Sequence, residues 1–350
     1  MNKRLLPLLL GFLTMTLLVE FVLRLFPVST GYNLGAVNAG QPIVHGAPHF
    51  RYTYSKDWNF DLANSGVLNN YGFRSSYDYA PDARSIAIIG NSFIQADAVV
   101  PKDTFTERLG SLLDRPAFAV GGDGFSLADF LAASRWASAT FGSRTMLVLL
   151  TTGDLSHSCM PHPGGHYLKS ENGTMTLSLV DRPPQTPLKA KLNDSMLFRY
   201  VYDNLRAAAN WSKGWRRLDD RGDAAPDPAG LAALLGCTDR HYADTATQFL
   251  LKSFHDVENA HDARVIFVLA PGYRREQLLA AGETRDVDVF GRRAALDGFG
   301  IVTLDAAFSD ALSSGVRLDF LPIDGHWNST AHALAARVAA RAISSSLDAR

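Results

Sequence analysis

Hydrophobic and polar positions divide this chain into three regimes. From Leu5 to Val28 nearly every residue is apolar. From Ser29 to Asp82 there is no clear period, and Gly, Pro, Asn and Tyr are frequent, which predicts a tether followed by a loop-rich entry segment. From Ser85 onward, short apolar runs alternate with amphipathic stretches. Ser85–Gly90 is a β-branched run of the kind found in strands buried on both faces. Thr104–Leu113 predicts an amphipathic helix with Phe105, Leu109 and Leu112 on its inner side. Pro116–Val120 predicts a strand, Ser126–Phe141 a helix capped by Ser126 with Asp129 three residues on, and Thr145–Leu150 a strong strand. Arg264–Ala270 repeats the strand pattern, and a helical stretch then runs through Leu296. Ile301–Leu304 is a further strand and Thr330–Leu347 an alanine-rich closing helix. Strands alternating with helices imply an α/β fold: a parallel sheet between two helical layers.

Between Ser156 and His261 the alternation is interrupted by Pro-rich and Gly-rich patches, Arg182-Pro-Pro and Asp223–Gly230, and by two helical stretches near Ser195–Trp211 and Ala243–Asn259. This reads as an insertion over the C-terminal edge of the sheet, forming a lid or substrate wall. The expected division is thus a segment 1–28, an entry segment 29–82, and an α/β domain 83–350 with an insertion at about 156–261.

The first regime is long enough to cross a hydrocarbon core of about 30 Å at 1.5 Å per residue. Lys3 and Arg4 precede it, so the rest of the chain is expected on the far side of the membrane. Glu20 and Arg24 interrupt it four residues apart, where they can pair on one face near the outer end. Phe26-Pro27-Val28 makes a poor cleavage site, which favours an uncleaved transmembrane helix over a signal peptide.

Composition narrows the function. The 34 basic and 35 acidic side chains leave a formal charge of -1, without the basic field that nucleic acid requires. The two cysteines, Cys159 and Cys237, have no zinc spacing and could form one disulfide in an oxidising compartment. Asp154, His157, His162 and His166 lie close in sequence, but prolines and glycines break the run and no helical HxxxH pair results. They are read as cleft or loop residues, and neither metal nor cofactor is assigned. His332, inside the last helix, is given a surface or packing role.

Two features carry chemistry. In Ile88-Ile89-Gly90-Asn91-Ser92-Phe93 a serine follows a buried strand at the turn into a helix, where backbone N–H groups can bind an oxyanion. Taken alone, such a turn is more often only a helix cap. In Asp324-Gly325-His326-Trp327-Asn328, just before the closing helix, His326 can reach Ser92 as a general base and Asp324 can hold its other ring nitrogen. Its plain alternative is a capping turn built on Asn328 or Ser329.

Together with Asn70-Tyr-Gly-Phe-Arg74 and Val100-Pro-Lys-Asp-Thr-Phe105, these motifs resemble the SGNH (GDSL-like) hydrolase superfamily, in particular its membrane-anchored bacterial branch related to polysaccharide O-acetyl esterases and transferases. The resemblance implies a flavodoxin-like three-layer sandwich. It implies Ser92 as nucleophile, His326 as base and Asp324 as the orienting acid, here two residues before the histidine where three is the more familiar spacing. Gly124, in Gly121-Gly-Asp-Gly124, matches the glycine whose N–H donates to the oxyanion, with Asn91 beside the nucleophile. Where the family usually has Gly-x-Asn-Asp, this chain has Thr151-Thr-Gly153-Asp154. Gly153 removes an oxyanion donor; Thr152 or a backbone N–H is a candidate substitute, and Asp154 is either a site residue or a helix cap. The implied activity is ester hydrolysis or O-acyl transfer on an exported glycan, outside the cytoplasm. The alternative is a non-catalytic glycan-binding protein on the same scaffold, which Gly153 favours and the intact Ser92, Asp324 and His326 oppose. Of four Asn-x-Ser/Thr triplets, one includes Asn328 beside the expected base, where a glycan would block the site, so a bacterial periplasm is the expected compartment.

Overall fold

The structure, a computed structural model, describes residues 5–171, 173–205, 240–271 and 286–348. Its elements in chain order are α1 (Leu5–Leu23), β1 (Arg51–Lys56), β2 (Leu62–Val67), β3 (Ile86–Gly90), α2 (Ser92–Gln95), α3 (Phe105–Leu113), β4 (Ala117–Gly121), α4 (Leu127–Phe141), β5 (Thr145–Leu150) and α5 (Asp154–His157). There follow β6 (His166–Glu171), β7 (Thr174–Leu179), α6 (Pro187–Asn193), α7 (Met196–Arg199), α8 (Arg240–His261), β8 (Arg264–Leu269), α9 (Asp286–Leu296), β9 (Gly300–Thr303), α10 (Asp305–Ser313), β10 (Asp319–Phe320), β11 (Asp324–Trp327) and α11 (Ser329–Asp348). Part of the expected 195–211 helix, the 223–230 patch and Cys237 lie outside the described residues.

Five parallel strands form the central sheet in the order β4-β3-β5-β8-β9. Counted along the sheet this is the 2-1-3-4-5 order of flavodoxin-like folds, and β3 stands at the point where the winding reverses. Its side chains explain the apolar runs. Ala87 and Ile89 face one layer with Phe118, Val148 and Phe267; Ile86 and Ile88 face the other with Leu147, Leu149 and Val268. The first layer is closed by α4, α8 and α9, the second by α3, α10 and α11. Both faces of the sheet are dry, so the strands show no polar alternation. On α11, Ala331, Ala335 and Ala339 recur every four residues, and these small side chains let α11 lie close against α3.

Three expectations need correction. Leu112 is exposed, and the buried face of α3 is Phe105, Thr106, Leu109 and Gly110. At 100° per residue that arc is centred well away from Leu112, and Leu113 packs instead. The helix α8 falls inside the stretch read as an insertion, yet Leu250, Phe254 and Val257 belong to the core, making it the crossover between β5 and β8. The entry segment contains an antiparallel hairpin, β1–β2, and a second hairpin, β6–β7, follows α5. Both are largely polar.

Helix α1 is long and apolar enough to cross a membrane, and its spanning window is wholly unburied. Cys159 is disulfide-bonded.

Candidate active site

Ser92 is held by a tight elbow. The strand β3 ends at Gly90, where a Cβ would lie 2.5 Å from Ile94 Cγ1, so only glycine lets the chain turn directly into α2. Asn91 caps α2, its side-chain oxygen accepting from Phe93 N at 3.1 Å. The far end of α2 is gripped by Arg74, a buried side chain that donates to the carbonyls of Gln95 (2.9 Å), Ala96 and Val99 (2.7 Å) and lies 5.0 Å from the Tyr52 ring. That is the physical content of the Asn70–Arg74 motif: a guanidinium satisfying carbonyls that a four-residue helix leaves open.

The short strand β11 brings Asp324 and His326 to the same point. His326 Nδ1 lies 2.5 Å from Asp324 Oδ1, and Nε2 lies 2.8 Å from Ser92 Oγ. With Nδ1–H donating to the carboxylate, Nε2 is left to accept the Ser92 hydroxyl proton. Phe93, 5.0 Å from the imidazole and 5.1 Å from Trp327, packs beside the base.

The other oxygen of Asp324 is occupied by residues the sequence reading did not select. Tyr54 OH donates to Oδ2 at 2.7 Å, and Lys56 Nζ donates to the same atom. Both come from β1, two residues apart and hence on one face of the strand. Asp324 is 5% exposed. Burial works against its charge, and the hydrogen bonds from His326 and Lys56, the His326 charge and the Tyr54 hydroxyl outweigh it, holding the carboxyl well below the usual carboxylate range. A signal for Lys56 existed only as an alternation of Tyr52, Tyr54 and Lys56 in a polar segment, with nothing to indicate a partner 268 residues away.

A hydrogen bond to a buried charge contributes roughly 1.5–3 kcal/mol, which is about tenfold to a hundredfold in rate if it is felt in the transition state. Lys56→Met is therefore expected to lower kcat/KM by that factor. It should also move the acid limb of the pH profile to higher pH, because an imidazolium would face an unneutralised carboxylate. Lys56→Arg should recover part of both. A stability loss with an unmoved pH profile would contradict a role in positioning and charge balance.

The remaining expected residues divide. Gly124 lies in the exposed turn after β4, and among the described residues neither its N–H nor that of Ser92 has an acceptor. Asn91 and Asp154 are joined to each other and to Thr151. The Asn91 amide donates to Thr151 Oγ1 (2.7 Å) and Asp154 Oδ1 (3.0 Å), which uses both of its hydrogens. The Asp154 carboxylate also accepts from Thr151 N (2.6 Å) and Thr151 Oγ1 (3.1 Å). These two residues brace the ends of β3 and β5 against each other. Gly153 takes φ +95° at the start of α5, and the His157 ring lies 3.1 Å from where its Cβ would be. An Asn side chain there would meet that ring. His166 donates its backbone N–H to Asp129 (2.6 Å). Among the described residues no group of three or more His, Cys, Asp or Glu is placed to hold a metal.

A cavity of about 430 Å³ lies behind the acid. Tyr54, Lys56, Arg74, Gln95 and Asp97 line it, whereas Ser92 and His326 do not, so it flanks the relay without containing it.

His332 is fully buried, accepts from Phe105 N at 3.1 Å through Nδ1 and packs edge-on to Trp327. Burial, with the nearby Arg74, His326 and Arg108 charges, pushes it down from 6.5 to about 3. The native state refuses a proton that the unfolded chain takes below pH 6.5. Nothing is at stake at pH 7, and stability falls as pH drops from 6.5 toward 3, by about 1.4 kcal/mol per pH unit. Urea titrations at pH 7 and 4.5 should show this slope in wild type and a shallower one in His332→Gln. An equal slope in both would assign the acid sensitivity elsewhere.

No protein-family profile and no curated protein sequence matches this chain. Among solved structures it is similar to a carbohydrate esterase family 2 enzyme from Corynascus thermopiles (Myceliophthora fergusii), at 12% identity over 81% of this chain and 71% of that one, TM-score 0.40. It is similar to a member of the lipolytic G-D-S-L family from Veillonella parvula, at 11% identity over 73% and 96% of the two chains, TM-score 0.36. A family two carbohydrate esterase from Clostridium thermocellum, in complex with cellohexaose, matches at 10% identity over 81% and 68%, TM-score 0.37.

Proposed function

We propose that this chain is an SGNH-type serine esterase or O-acyltransferase, anchored by α1, that acts outside the cytoplasm on ester groups, acetyl foremost, of an exported glycan. The observation that carries the reading is the continuous relay Ser92–His326–Asp324, with spacings of 2.8 and 2.5 Å. Ser92 Oγ attacks the acyl carbon while its proton passes to His326 Nε2. The Ser92 and Gly124 N–H groups face the developing oxyanion. Collapse of the tetrahedral adduct breaks the ester C–O bond, and His326 returns the proton to the departing sugar oxygen. The acyl group, now on Ser92, passes to water or to an acceptor hydroxyl by the same steps in reverse.

A second reading, a glycan-binding protein that no longer catalyses, draws on Gly153. The two separate on one experiment: the full chain in detergent micelles is treated with a labelled fluorophosphonate and assayed with p-nitrophenyl acetate. Labelling with turnover supports the enzyme. Failure of both, in protein that is folded by circular dichroism, leaves the binding reading. Adding an unacetylated oligosaccharide then distinguishes transfer, seen as acetylated sugar, from hydrolysis, seen as free acetate.

A further inference from the structure

Glu20 lies inside α1, three residues from its end, and its carboxylate is committed to the middle of the chain. It accepts from Ser195 Oγ (2.9 Å), Met196 N (3.0 Å) and Leu197 N (2.9 Å), and from Arg24, in the turn directly after its own helix (3.0 Å). An acid of the apolar helix thus caps α7, closing N–H groups that a helix start leaves open. The axial distance from Glu20 to Leu23 is about 4.5 Å. If α1 spans a bilayer, the corner between α6 and α7 is therefore held at the level where the span leaves the hydrocarbon.

What stands at that corner suits an interface. In α6, Leu188 and Leu192 are one turn apart and 70% and 42% exposed. Lys189 and Lys191, both exposed, fall on either side of that apolar stripe. An apolar stripe flanked by lysines is the pattern of a helix lying flat among headgroups, apolar edge down, ammonium groups at the phosphates. An aromatic cluster continues the same base. Phe26, just past α1, stacks on Phe60 at 5.3 Å, Phe60 meets Tyr200 at 5.4 Å, and Tyr200 OH donates to the carbonyl of Trp58. Trp58 and Tyr202 remain exposed beside them; such rings favour the headgroup level.

We propose that α6 is a membrane-seating element: Leu188 and Leu192 enter the outer edge of the bilayer, Lys189 and Lys191 bind anionic headgroups, and the Glu20 cap fixes this seat to the anchor. The catalytic domain then rests on the lipid surface at a set orientation instead of swinging on a tether. This rests on the anchor reading above.

The test uses the full chain in nanodiscs of mixed phosphatidylcholine and phosphatidylglycerol, with single spin labels at Leu188→Cys, Leu192→Cys, Leu13→Cys and Leu296→Cys. Leu296 is 83% exposed at the end of α9 and serves as the aqueous reference. The readout is accessibility to oxygen relative to a water-soluble nickel chelate. The expected result is a several-fold higher ratio at residues 188 and 192 than at 296, approaching that at 13. A lipid-like value at 13 with aqueous values at both 188 and 192 would overturn the seat and leave the anchor intact. An aqueous value at 13 would overturn the anchor, and the seat with it.

Discussion

Replacing Ser92 by alanine is expected to lower ester turnover by at least about 10⁴-fold and to abolish fluorophosphonate labelling, with the fold unchanged. The size of the effect follows from what is removed. Without Oγ there is no acyl-enzyme, and the Ser92 and Gly124 N–H groups remain only to polarise a carbonyl for slow attack by water. His326→Ala should fall nearly as far, since an unassisted hydroxyl is a poor nucleophile at neutral pH. The double variant should be no worse than the worse single, because the two residues act as one unit. Turnover surviving Ser92→Ala would place the nucleophile elsewhere and end the proposal.

The second large effect is expected at Asp324. Asp324→Asn preserves shape but should cost on the order of 10⁴-fold in kcat. The surroundings make the outcome directional. Tyr54 and Lys56 both donate to Oδ2, so the amide oxygen of an asparagine turns to them and its NH₂ turns to His326 Nδ1. That nitrogen must then accept, which moves the ring proton to Nε2, where it can no longer take a proton from Ser92. If this is the cause, Lys56→Met introduced beside Asp324→Asn adds little further loss, and kcat falls far more than KM rises. Strict multiplication of the two losses would argue for independent effects.

Much of this was legible in the sequence, for identifiable reasons. The runs at 86–90, 145–150 and 264–269 stand out because a parallel strand covered on both faces has no polar positions to break the pattern. Ser92 and His326 stood out because each sits where such an element ends. The hairpin β1–β2 did not. Its buried positions include Ser55, Lys56 and Asn64, polar side chains on both of its faces that are buried because they are paired, and hydropathy scores such residues as surface. Lys56 was invisible for the same reason, since its meaning lies entirely in Asp324. That Asn91 and Asp154 hydrogen-bond to each other and to Thr151 was not legible either, because the pairing joins the ends of two strands about 60 residues apart.

The nucleophile and its base are separated by 234 positions along the chain, and the acid's two further partners by 268 and 270. A polypeptide that stops short of residue 324 carries Ser92 as an ordinary alcohol, with neither base nor acid. A polypeptide that begins beyond residue 56 carries the relay but leaves its carboxylate without Tyr54 and Lys56. A fragment that stops short of residue 324 is therefore expected to be unreactive, and one that begins beyond residue 56 to react more slowly than the full chain. Reactivity arises only when remote parts of one chain have been joined, so it reports on the integrity of the whole molecule and not merely on the presence of its serine.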